Sequence, residues 1–282
     1  MSFLKEIKYA YTSANIVEKI IYVNVFCFLI ASIFKTLADT WLGLPPTFES
    51  LLAKPWTLIS YGFTHLRMPH ILSNLLVMYY IGNLFLSYMS VKHFVNFYFL
   101  GIIIGALGFI FYHEFLNTEF ANQTPEILIG ASAGVSAIFI GMVAKMPNYE
   151  LKLRFIGSVK LWVLAVIWLG LNLLQLANAY KGNAISHLSG ATFGFIYMSQ
   201  LKLGNDIGKW FEDLLNFFAN LFKQKKSKSH LKTVYKSKRW KASDQEKPKQ
   251  QKINEILDKI SKSGYEKLSE EEKSYLFRHR KN

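Results

Sequence analysis

Residues 127–146 read ILIGASAGVSAIFIGMVAKM. The run carries no charge before Lys145, and about 20 such residues are what a helix needs to cross a hydrocarbon core roughly 30 Å thick. Its composition is more telling than its hydropathy. Ala133, Ala137 and Gly141 recur every four residues, as do Gly130 and Gly134. Small residues at that spacing form a face onto which another helix can press its backbone. Ser132 and Ser136 share one side of the same helix. A matching face occurs later, in residues 186–194, SHLSGATFG. There His187, Gly190 and Gly194 lie at i, i+3 and i+7, so one helix face carries both a GxxxG pair and a histidine.

Outward from this stretch, six apolar segments reach membrane length: 20–37, 69–88, 94–112, 127–146, 158–177 and 184–202. The fourth and sixth are the less hydrophobic, being rich in Gly, Ala and Ser. Six such segments within about 200 residues predict an all-α fold, a polytopic six-helix membrane bundle. In lipid every backbone polar group must be paired within the chain, and helices achieve that. The single cysteine, Cys27, excludes an intrachain disulfide framework and a four-cysteine zinc site.

The net charge of +14 first suggests nucleic acid or an anionic surface, but the charges are unevenly placed. Residues 1–201 carry only +4 and residues 202–282 carry +10. Lys5, Lys8, Lys19, Lys92, Lys145, Lys152, Arg154 and Lys160 fall on one side of the predicted spans, and Lys54, Arg67 and Lys181 on the other. The positive-inside rule then puts both termini in the cytoplasm. The expected location is the inner membrane of a bacterium. The long first loop, 38–68, lies outside and is apolar enough to rest in the membrane interface.

Polar side chains at membrane depth are costly and so are functional candidates. Three clusters qualify: His65, His70 and Asn74 in FTHLRMPHILSN; Ser132 and Ser136; and His187. Read singly, each has an ordinary structural role, as helix-to-helix hydrogen bonds or small-residue packing. Together they share a depth, because His70 and Asn74, Ser132, and His187 all stand near the outer ends of their spans. A serine hydroxyl becomes a nucleophile when a base takes its proton, and histidine does this near neutral pH. The spans contain no carboxylate, so the machine would be a Ser132–His187 dyad with the ring oriented by packing. The Ser132 N–H, His70 and Asn74 would be the donors to an oxyanion. With no acidic or thiol partners, no metal site is expected.

At these residues the sequence resembles the rhomboid family of intramembrane serine proteases. The resemblance covers about residues 50–200 and rests on FTHLRMPHILSN, GASAG and SHLSGATFG in that order. It implies Ser132 as nucleophile, His187 as base, His70 and Asn74 as oxyanion donors, and His65 as a structural residue of the second span. The implied reaction is peptide-bond hydrolysis in or near transmembrane helices, with no cofactor and with small residues at the cleaved bond. This chain departs from the family pattern at three points: Ala133 directly follows the serine, Ser136 stands where an aromatic often stacks on the histidine, and Trp56 is followed by Thr57. The alternatives are a catalytically inactive rhomboid-like protein that binds transmembrane helices, and a transporter. The missing buried carboxylates argue against the transporter.

The domain reading is 1–204 for the membrane domain, 205–252 for an amphipathic helix and basic linker, and 253–282 for a small helical hairpin. Residues 209–222 place Trp210, Leu214, Phe217, Phe218 and Leu221 along one helical stripe, as in an interfacial helix. Nine Lys or Arg occur among the 19 residues 223–241. So close to a bundle, they suit anionic lipid headgroups better than nucleic acid, and no nucleic acid is expected as a partner. Ser269 and Glu272 form a capping-box pattern for the last helix. The expected partners are the bilayer and transmembrane-helix protein substrates.

Overall fold

A computed structural model describes residues 3–117, 126–153, 157–177, 181–221 and 246–278. The basic stretch 223–241 and Glu119 lie outside the described residues. The chain divides into two compact units, within residues 1–222 and 223–282, and each is described by itself.

The first unit opens with α1 (Phe3–Ser13) and α2 (Ile16–Ile33). Asn15 and Glu18 cap α2 reciprocally, each side chain accepting from the other's backbone N–H. The first loop is structured: α3 (Lys35–Leu42), α4 (Phe48–Ala53) and α5 (Thr57–Ser60), the last running into a 3-10 turn at Tyr61–Phe63. Trp41 and Trp56 stack at 6.1 Å, and the Trp56 indole N–H donates to the Trp41 carbonyl at 2.7 Å. Both rings and Leu52 remain exposed. Then come α6 (Met68–Tyr88) and α7 (Val91–Phe111), the latter ending in a π-turn at Tyr112–Leu116. They are followed by α8 (Ser132–Lys145), α9 (Leu161–Leu176), α10 (Lys181–Lys202) and α11 (Lys209–Leu221).

The fold is mostly helical, with one correction to the all-α expectation. β1 (Glu150–Leu153) and β2 (Gly157–Lys160) form an antiparallel hairpin that pairs Glu150 with Lys160 and Leu151 with Val159. Opposite charges face each other at its open end, and Gly157, at φ +92°, takes a left-handed conformation that suits glycine. The hairpin shortens the fifth helix, which starts at Leu161 rather than near residue 158.

Among the described residues, α2, α6 and α7 are the helices both long and apolar enough to cross a membrane by length and composition; α8 and α9 are apolar but shorter. The packing explains the weaker hydropathy of α8 and α10. α8 is buried almost all round, between α7 and α10. Helices enclosed by helices gain close approach from small residues rather than lipid contact from large ones. α9 is the opposite case. Leu161 and Asn172 are its buried residues, while Trp162, Val166, Ile167 and Leu171 face outward. Aromatic packing at the other end of the bundle joins α6, α7 and α10 through Phe85, Phe97 and Tyr197, the last two stacked at 4.4 Å.

A polar knot closes the end of the bundle that leads into α11. The Tyr197 hydroxyl donates to Asp206 Oδ1 at 2.7 Å, the Gly208 N–H donates to the same oxygen at 3.0 Å, and His93 Nε2 lies 3.2 Å from Oδ2. Burial pushes the Asp206 carboxyl up. The Tyr197 hydroxyl, the Gly208 N–H and His93 outweigh it and hold the group below its ordinary value. Lys92 pairs with Glu212, and Phe211 is buried, so the start of α11 is tied to this unit. Replacing Asp206 by alanine is expected to cost about 1–3 kcal/mol, read as a lower melting temperature in detergent. A carboxylate with a depressed pKa contributes fully above its unfolded value and loses that contribution as pH falls through the folded one. The parent and the variant therefore converge only below about pH 4.

The second unit contains α12 (Glu246–Ser263), a 3-10 turn at Tyr265–Lys267 and α13 (Glu270–Arg278). α12 begins inside the stretch 242–252 read as linker. Its opening residues are good helix formers, and Pro248 falls in the first turn, where its missing N–H costs nothing. Gly264, at φ +80°, ends the helix. The Ser269–Glu272 capping box forms at 2.9 and 3.2 Å, and Lys259 bridges from α12 to Glu272. The lysine and the box hold the Glu272 carboxyl below its usual range.

Candidate active site

The site is built on the segment that descends into α8. Leu128 pairs with Leu44 through two backbone hydrogen bonds of 2.9 and 3.0 Å. The Gly130 N–H donates to the carbonyl of the fully buried Tyr61 at 2.8 Å. The Ala131 N–H donates to His65 Nε2 at 3.3 Å. Gly130 has φ +116°, and a Cβ there would sit 2.6 Å from His70 Cε1. Glycine thus allows both the turn and the close seat of the His70 ring. These four ties engage the backbone of residues 128–131 outside the helix, so the helix starts at Ser132 rather than near residue 127. At 14 residues, α8 is about 21 Å long, shorter than a bilayer core of about 30 Å. Ser132 is therefore the first helical residue of a helix that does not reach both membrane faces. The first-turn N–H groups of such a helix have no intrahelical acceptor.

α10 crosses α8 at Gly190 and Gly194. A Cβ at Gly190 would run into the Ala133 carbonyl, and one at Gly194 into the Ala137 backbone. That approach brings His187 Nε2 to 2.6 Å from Ser132 Oγ. Ser136, one turn further along α8, is buried.

The other face of the His187 ring meets a residue that sequence reasoning missed. Asn172 Oδ1, on α9, lies 2.8 Å from His187 Nδ1, and Asn172 Nδ2 donates to the Trp168 carbonyl at 2.8 Å. The sequence did hold a signal, since Asn172 and Gln175 are the two polar side chains inside LWVLAVIWLGLNLLQL and a polar side chain at that depth invites a role.

His70 flanks Gly130, and its ring centroid lies 5.0 Å from that of His65. Asn74 is buried and donates one amide hydrogen to the His70 carbonyl at 2.9 Å, leaving a second for another acceptor. His65 lies in the turn before α6 rather than in a span, fully buried against the segment that leads into Ser132. A cavity of about 550 Å³ opens beside His70, with Lys35, Asp39, Arg67, Glu126 and Gln175 also on its wall. Arg67 and Glu126 thus line this opening, and the fully buried His65 does not. Glu126 is in turn held by His113 at 3.2 Å, next to the start of α10.

A sequence profile of the Rhomboid domain matches residues 52–202, more than half of the chain. The chain belongs to the rhomboid family. Its described helices fit a multi-pass rhomboid membrane bundle. Among curated proteins, it is similar to RHOMBOID-like protein 12, mitochondrial, of Arabidopsis thaliana, at 23% identity over 159 residues. That match covers 52% of this chain and 47% of the relative, so the chain spans about half of the length of the relative. Residues 241–282 match a family of unknown function (DUF6576). In this chain Ser132, His187, His70 and Asn74 stand at one end of the bundle, on α6, α8 and α10, with Asn172 of α9 beside them.

Proposed function

We propose that this rhomboid is an intramembrane serine endopeptidase that hydrolyses peptide bonds in or near transmembrane helices. The observation that carries the reading is the 2.6 Å approach of His187 Nε2 to Ser132 Oγ, with no buried carboxylate beside them among the described residues. Ser132 Oγ attacks the scissile carbonyl carbon while His187 Nε2 takes the hydroxyl proton. The tetrahedral oxyanion forms beside the first turn of α8. There the Ser132 N–H, the His70 ring and the free amide hydrogen of Asn74 are the candidate donors. Collapse breaks the C–N bond, His187 hands its proton to the leaving amine, and an acyl ester remains on Ser132. Water entering through the polar cavity beside His70 then hydrolyses the ester, with His187 again as base.

A helical substrate shields its carbonyls, so the substrate class is a transmembrane segment with small residues at the cleaved bond and residues that weaken the helix nearby. The loop charges favour a bacterial inner membrane with both termini cytoplasmic. Purified protein is expected to react with a fluorophosphonate probe, with the adduct mapped to Ser132 by peptide mass spectrometry. No adduct there under conditions that label a control serine protease would favour the inactive, helix-binding relative.

The exposed stripe of Trp210, Leu214, Phe217, Phe218 and Leu221 on α11, followed by the basic run, supports contact with anionic lipid of the cytoplasmic leaflet. Juxtamembrane lysines and arginines contribute about 1 kcal/mol each. A peptide of residues 205–241 is expected to bind vesicles containing 30% anionic lipid at least about tenfold more tightly than neutral vesicles. Equal binding to both would refute the electrostatic part.

A further inference from the structure

We propose that Asn172 is a positioning residue: from α9 it holds His187 in the tautomer and orientation that aim Nε2 at Ser132, making the working unit Ser–His–Asn. This rests on the proteolytic reading above and deepens it. The geometry assigns each atom. Asn172 Nδ2 donates to the Trp168 carbonyl at 2.8 Å, which turns Oδ1 toward His187 Nδ1 at 2.8 Å. An amide oxygen carries no hydrogen, so the proton between them belongs to Nδ1. In a neutral imidazole the Nε2 lone pair is then free to receive the Ser132 hydroxyl, 2.6 Å away. The opposite tautomer would set two acceptors face to face at Nδ1 and point an N–H at the serine.

The bond also favours the reaction in progress. When His187 takes the proton, its Nδ1–H becomes a charged donor, and charge-assisted bonds are about twice as strong as neutral ones. An aspartate would serve the same purpose, but an uncompensated carboxylate is costly at membrane depth. A carboxamide supplies the acceptor without that charge. It also answers the absence of an aromatic at Ser136, since the ring is gripped at its edge.

Asn172 is one of only two buried residues of α9, so a purely structural role as the peg of that helix must be told apart from positioning. The full-length protein is assayed on a transmembrane reporter in detergent, with kcat and KM measured separately. Asn172→Ala is expected to lower kcat about 10–100-fold with KM within about twofold. The rate of fluorophosphonate labelling of Ser132 is expected to fall by the same factor. Asn172→Asp keeps the acceptor and is expected to recover most of kcat. If the alanine variant does not fold, Asn172→Leu, which fills the space without an acceptor, is compared with Asn172→Asp and is expected to be slower by the same factor.

Parental kcat in Asn172→Ala or Asn172→Leu would overturn the proposal. So would equal losses in the Asp and non-polar variants with KM rising in step, the mark of a loosened α9. Ser132→Ala runs alongside. Cleavage surviving there defeats the proteolytic reading itself, whereas a dead Ser132→Ala beside a fully active Asn172→Ala defeats only the role of Asn172.

Discussion

Ser132→Ala and His187→Ala each lower cleavage of a transmembrane reporter by at least about 10³-fold, and the double variant is no slower than either single one. The non-additivity follows from the contact. The histidine has no proton to take without the serine, and the serine hydroxyl has no base without the histidine. The loss falls in kcat, because the two side chains act in the chemical step rather than in uniform binding of the substrate. Ser132→Ala is expected to melt within a few degrees of the parent, since it removes a single polar contact, whereas His187→Ala removes two, to Ser132 and to Asn172, and is expected to melt lower. The measurement is steady-state cleavage by purified protein, with melting as the folding control. Ser136→Ala is the discriminating partner, one helical turn along the same face. Loss of activity there with retention in Ser132→Ala would reassign the nucleophile, and full activity in both would end the serine-protease reading.

Gly194→Val is expected to cost about 3 kcal/mol or more, read as sharply reduced yield and melting temperature. The clash is with the Ala137 backbone rather than with the tip of a flexible side chain, so relief requires α8 and α10 to separate. Those helices carry Ser132 and His187, and activity falls with the fold. Gly170→Ala is the matched control. A Cβ at Gly170, on α9, meets nothing within 4 Å. There the exchange removes backbone freedom from the unfolded chain and is expected to be neutral or to stabilise by about 0.4–1 kcal/mol. If Gly194→Val melts like the parent, the tight α8–α10 crossing is wrong.

The family and the small-residue crossing were readable because their causes are local. A four-residue repeat of Gly and Ala means close approach wherever the partner lies, and GASAG and SHLSGATFG each announce one half of it. Asn172 was not singled out, because its meaning is relational: an asparagine in an apolar run becomes notable only when a ring nitrogen stands 2.8 Å away. The start of α8 was misplaced by five residues for a related reason. Residues 127–131 have helical hydropathy, but Leu44, Tyr61 and His65, distant in sequence, claim their backbone groups. The β-hairpin escaped notice because four-residue strands are too short for alternation to stand out. Among the described residues, three helices met the length and apolarity of a span, and α8 is less apolar because neighbouring helices cover it.

The crossing of α8 with α10 also sets a timetable. The two helices are separated in the chain by the hairpin and α9, and the ribosome makes them in order. When α8 emerges, its Gly, Ala and Ser face has α7 on one side and nothing yet on the other. The partner containing His187, Gly190 and Gly194 arrives only once synthesis has passed residue 194. No shorter nascent chain can hold Ser132 against His187. A protein able to cut membrane helices would thus remain inert beside its own unfinished helices and those of its neighbours, and would arm itself only when α10 docks on α8.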